Sequence, residues 1–147
     1  MADADHTPRV LVDDRQDSEV DADGLATLAR SVLVGEGAGD AELSVSFVTE
    51  DEMAALHQTY TGEPGPTDVL SFALDEQDRD EDGVRILGDV VIAPAVAAAN
   101  NPEDPAAELR LLVVHGILHL LGHDHHEDDD KSEMWTRQER YAGVRVP

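Results

Sequence analysis

The sequence predicts a single domain that mixes β-strands with α-helices, four of the first and about five of the second. Three observations carry this. The length of 147 residues matches one domain of ordinary size. Short runs rich in β-branched residues alternate in polarity, as half-buried strands do. Other stretches repeat their apolar residues every three or four positions, as amphipathic helices do. Hydrophobic residues make up 41% of the chain and aromatic ones only 3%, so leucine, valine and alanine must fill the core.

Arg9 to Asp14 (RVLVDD) reads as the first strand. An acidic turn around Asp17 to Asp23 leads into a helix marked by Leu25, Leu28, Ala29, Val32 and Leu33, which Gly35, Gly37 and Gly39 end. Leu43 to Val48 (LSVSFV) alternates as a second strand, and Thr49 or Glu50 opens a helix through Leu56. The cluster Gly62 to Pro66 separates that helix from PTDVLSFAL, where Val69, Leu70, Phe72 and Leu74 indicate a third strand. Asp75 to Asp82 reads as a loop, and Val84 to Ile92 as a fourth strand with a bulge suggested at Gly88. Pro94 starts a short alanine-rich helix. Asp104 and Pro105 are a good start for the next one, because aspartate accepts from free backbone amides and proline tolerates the first turn. It should run to about Leu121, with Gly122 in the left-handed stop position. Asp128 to Asp130 supply the negative charge that favours the start of a last helix, through about Tyr141.

Charge and composition narrow the function. There are 33 acidic residues against 10 basic ones, a formal net charge of -23, and Lys131 is the single lysine. Such a chain repels nucleic acid at long range, because phosphate affinity comes largely from lysine and arginine displacing counterions. The spread of Asp and Glu from Asp3 to Glu139 matches a surface acidic for solvation. With no cysteine, disulfides and thiolate metal sites are excluded, and His, Asp and Glu remain as the strong ligands. The opening MADADHTPRV has neither the basic start nor the apolar stretch of a secretory signal, and no apolar run reaches the roughly 18 residues that span a bilayer. A cytoplasmic location without membrane contact is the expectation.

From His115 to His125 the chain reads HGILHLLGHDH. His115 and His119 are four apart, so at about 100° per residue they share one helix face, one turn removed. Gly122 lets the chain reverse, which brings His125 back toward the same point. Three neutral imidazoles and one vacant position make the usual catalytic zinc arrangement, and one zinc ion per chain on His115, His119 and His125 is the predicted metal site. A lone histidine in so apolar a helix is more often a core residue satisfied by a hydrogen bond. Two at helical spacing, buried without a shared partner, would leave polar atoms unpaired at about 1 to 3 kcal/mol each. His123 and His126 compete for the third position but read as exposed loop residues, and Asp124 could steady a ligand ring. His57 and His6 receive no role.

The spacing HxxxHxxGxxH is that of the metzincin metalloproteases, which carry a glutamate general base directly after the first histidine. Here that position is Gly116, so the metal geometry survives while the usual activation of water against a peptide does not. A metallopeptidase is therefore the weaker alternative.

The same segment, HGILHLLGHDHHEDD, resembles the HGxLHLxGYDH signature of the YbeY family, bacterial metal-dependent endoribonucleases formerly taken for metalloproteases. Pro66 to Phe72 (PTDVLSF) and Leu87 to Val90 (LGDV) resemble two further stretches of that family, in the same order and rough spacing, so that the likeness covers about Tyr60 to Met134. The resemblance implies a zincin-like α+β fold, a four-stranded mixed sheet packed with about five helices, with the metal on a helix and the following turn. It also implies single-strand-specific cleavage of RNA, with the 16S rRNA precursor and the small ribosomal subunit as partners, in 3′-end maturation and ribosome quality control.

Two departures stand out. Many members carry an arginine after the tyrosine that stands here as Tyr60, a natural phosphate clamp, but Tyr60 is followed by Thr61. Another cation, such as Arg85, would have to face the phosphate, or the metal would act alone. His123 stands where the family commonly has tyrosine. Ser71 and Asp68 are the candidate catalytic helpers, each with an equally ordinary structural role as strand hydroxyl or turn cap, and Asp89 has the same ambiguity. The missing arginine and the acidity keep open a second reading, a metal-stabilised ribosome-associated protein without catalytic turnover.

Overall fold

Alternating and helical apolar patterns become, in the computed structural model, one mixed sheet with helices packed on it; the structure describes residues 8–73, 85–122, 137 and 141. The strands are β1 (Arg9–Asp14), β2 (Ala41–Phe47), β3 (Val69–Ala73) and β4 (Arg85–Ile92), and the helices α1 (Ala22–Gly35), α2 (Glu50–Thr61), α3 (Pro94–Asn100) and α4 (Pro105–Leu120). Among the described residues four helices are complete, against the expected five. The last, expected over Asp128 to Tyr141, lies outside the described residues except at Arg137 and Tyr141, which are helical. The loop expected over Asp75 to Asp82 also lies outside them.

The sheet order is β1-β2-β4-β3. β1, β2 and β4 run parallel, and β3 joins β4 antiparallel at the edge. The expected bulge is present: the β2–β4 register shifts between Glu42 and Leu43, passing over Leu87. Gly88 follows with φ 137, and a Cβ there would run into the carbonyl oxygen of Phe72 on β3. The close approach of two backbones requires glycine at this point.

Helix ends follow the residues that the sequence put there. Thr49 caps α2 by accepting from the Glu52 N–H at 3.1 Å, with acids through the first turn, and Asp104 caps α4 by accepting from the Ala107 N–H at 3.1 Å. α2 continues past Leu56 to Thr61, because its last turn is polar and invisible to apolar periodicity; Gly62, at φ 78, closes it in the left-handed conformation.

Leu43, Val45, Phe47, Val90 and Ile92 face α1 and α4 in the larger core, while Val91 joins Val48, Met53 and Ala93 in a smaller one beneath α2. Nine of the 16 residues of α4 are buried, which makes it the central helix and a rigid base for any side chain it exposes.

Candidate active site

α4 is apolar nearly all round, and this isolates the two histidines. From Leu112 to Leu120, His115 and His119 are the only positions that are not buried. One helical turn apart, their rings lie 4.5 Å between centroids at an interplanar angle of 66°. They open on a cavity of about 310 Å³ whose far wall is β3, at Val69, Ser71 and Ala73.

Two imidazoles that share one opening suit a borderline-soft cation with nitrogen ligands, and no thiol competes with them. The pair thus fits zinc. Among the described residues no third His, Cys, Asp or Glu completes a metal-binding group. His125, the third expected ligand, lies outside the described residues, together with His123, Asp124 and His126.

Gly116 explains how closely α4 approaches the sheet. A Cβ on it would sit 2.6 Å from Val90 Cγ1 and 3.2 Å from Ser71 Oγ. The position that carries the metzincin general base is therefore packed against β3 and β4, with no room for a glutamate unless the fully buried Val90 moves.

Of the two candidate helpers, the structure brings one to the histidines. Ser71 lines the cavity, and its hydroxyl donates to the Gly116 carbonyl at 3.2 Å, which ties the edge strand to α4. Asp68 goes elsewhere. Its carboxylate accepts from the Asn100 side-chain amide at 3.4 Å, and it lies close enough to Glu108 to raise that residue's pKa. Glu108 precedes His115 by seven residues, about 10 Å along a helix axis. Asp89 is on the opposite sheet face, where its carboxylate accepts from the Ser44 hydroxyl.

Thr61, where the resemblance led to the expectation of an arginine, closes α2: its hydroxyl donates to the His57 carbonyl at 2.6 Å and accepts from the Glu63 N–H at 3.2 Å. Arg85 opens β4 three residues before Gly88, the pairing partner of Ala73. His57, given no role from sequence, has Nδ1 2.9 Å from the Gly65 carbonyl and Nε2 3.5 Å from Glu63, which fastens the loop that leads into β3. Only the turn residues around Gly62 to Pro66 hinted at such a need.

Among the described residues, Glu108 is a group whose titration its surroundings shift. Burial first, and the Asp68 carboxylate second, push its pKa above the ordinary 4.5. The folded state therefore holds this proton more tightly than the unfolded chain, and stability falls as pH rises from about the ordinary carboxylate value through the raised one. Glu108→Gln should be more stable than the parent at neutral pH and lose that part of the pH dependence, as read by urea denaturation from acid to neutral pH. A variant less stable at neutral pH would contradict the sign.

A mixed four-stranded α+β fold, with two histidines on its central helix facing an edge-strand cavity, is the class these features define. The chain belongs to the family described as Endoribonuclease YbeY, whose sequence profile matches residues 11–143. Relatives of that name include those of Frankia alni (47% identical over 134 residues, 84% of this chain and 74% of that one) and Thermobifida fusca (47% over 137 residues, 85% and 86%). That of Streptomyces coelicolor is 41% identical over 138 residues, covering 86% of this chain and 84% of its own. The solution structure of a Thermotoga maritima protein resembles this one with a TM-score of 0.61 and 32% identity, over 92% of this chain and 87% of that one. Among the described residues, no helix is long and apolar enough to cross a membrane.

Proposed function

We propose that this chain is an endoribonuclease, zinc-dependent and specific for single strands, that matures the 3′ end of the 16S rRNA precursor and takes part in ribosome quality control in the cytoplasm. The observation that carries the reading is the His115–His119 pair, one turn apart, facing a 310 Å³ cavity in a chain whose relatives are named endoribonucleases. In this reading His125 completes the ligand set from beyond Gly122, in a zincin-like arrangement.

When bound, zinc supplies Lewis acidity toward a phosphoryl oxygen and lowers the pKa of water to about 7. The residues of the chain do the rest. His115 and His119 present neutral nitrogen donors from a helix too tightly packed to shift. Ser71, anchored on Gly116, holds the β3 wall of the cavity at a fixed distance from them. With Gly116 packed against Val90, the general base of a zincin peptidase has no place, which disfavours that alternative.

A defined single-stranded RNA, its duplex form and casein, incubated with the zinc-loaded chain, test the reading. Cleavage of the single strand alone is the expected result. Products with 5′-phosphate ends imply attack by water, and 2′,3′-cyclic phosphate ends imply attack by the neighbouring hydroxyl. An intact single strand would reject the enzyme and favour a ribosome-associated protein without turnover, the reading that the net charge of -23 and the occupied Thr61 hydroxyl support. Such a protein would approach the small subunit through its basic proteins.

A further inference from the structure

We propose that two copies of this chain pair through β1, edge to edge and antiparallel, in one particular register. Among the described residues β1 is the outermost strand of the sheet on its side. Among the described residues, three of the four exposed large hydrophobics lie along this border: Leu11 (57% exposed), Val12 (37%) and Val34 (61%), the last on α1 in a surface groove that reaches Pro8. The centre of β1, Val10 to Val12, has no charge, proline or bulge of the kind that blunts a solvent edge.

The backbone is oriented for such pairing. The Arg15 N–H donates to the Phe47 carbonyl at 2.8 Å, and in a parallel ladder the amide and carbonyl of one residue point to the same side. The odd-numbered residues of β1 thus address β2, and the N–H and C=O groups of Val10 and Val12 point outward.

Symmetry and charge then select the register. A closed dimer places a two-fold axis through the pairing. Residues opposed across it must share a sheet face, so the axis passes through a residue and their numbers sum to an even total. With Leu11 on the axis, Val10 meets Val12 of the second copy through outward backbone groups, and Arg9 meets Asp13, twice over. Leu11 meets its own copy between the two ion pairs, in the closely spaced kind of opposition. Moving the axis to Val12 sets Leu11 against Asp13 and Val10 against Asp14, and both ion pairs vanish. Arg9 already inclines along this face toward Glu42 at 3.8 Å, and Asp13 bonds Arg15 at 2.8 Å, so the dimer adds a further charge partner to each. The net charge of -23 per chain opposes any association, and salt that screens it should strengthen the dimer.

Sedimentation equilibrium of the whole chain over a concentration series, at low and moderate salt, reads the result. The wild type should approach twice the 15.9 kDa of one chain, more readily at moderate salt. Leu11→Lys, which sets two ammonium groups against each other on the axis, should weaken the dimer by at least about tenfold with an unchanged circular dichroism spectrum. Asp13→Arg alone should weaken it as well, and Arg9→Asp with Asp13→Arg should restore it. A monomer under all conditions overturns the proposal and leaves the edge to a strand of another protein or to a segment of the same chain. A dimer indifferent to Leu11→Lys, or one that the double exchange fails to restore, overturns it equally.

Discussion

Replacing His119 by alanine should reduce cleavage of single-stranded RNA by more than about a hundredfold, since loss of a residue that merely supports a metal ligand already costs 10- to 100-fold. The fold should survive. His119 is only half-buried at the end of α4, alanine is the better helix former, and the buried face of α4 lies on other residues, from Leu109 to Leu120. Zinc content by atomic absorption should fall with activity, while the urea midpoint moves little. A structural zinc would behave differently, because its binding energy is folding energy and the variant would unfold with it. Loss of activity together with loss of fold would therefore favour the non-catalytic reading.

Glu36→Ala should destabilise the protein by about 3 to 5 kcal/mol, the usual cost of removing one partner from a buried ion pair. The Glu36 side chain is only 5% exposed. Both its oxygens accept from Arg137 Nη1 at 2.7 Å, and one accepts from the Tyr141 hydroxyl at 2.7 Å. Truncation takes from the guanidinium and the phenol the acceptor that they share beside the end of α1. Urea denaturation checks the size; a loss below about 1 kcal/mol, the range of an exposed pair, would mean that water replaces the carboxylate.

This second site marks where sequence reading ends. Glu36 and Arg137 are 101 residues apart, and neither has a local pattern that announces the other. The elements themselves were legible wherever one face is apolar. β2 alternates buried and half-buried residues along its whole length, and the caps at Thr49 and Asp104 are written in the residue types. Strand order was not legible. Apolar residues mark β3 as a strand, but not that it leaves the chain order to lie outside β4.

The candidate site was legible in part for the same reason. A spacing of four puts His115 and His119 together whatever the rest of the chain does, because the helix alone fixes it. Ser71 and Asp68 looked equivalent in PTDVLSF, yet three residues of extended chain span about 10 Å, so only one of them reaches the histidines while the other meets Asn100 and Glu108. The packing role of Gly116 needs β3 and β4 in place before it can be seen.

X-ray absorption at the zinc edge of the purified chain tests the central claim most directly. It should find one zinc per chain with three imidazole nitrogens at about 2.0 to 2.1 Å and a lighter exchangeable ligand in the remaining position. A chain that takes up no zinc, or a zinc enclosed by four protein side chains, would contradict it.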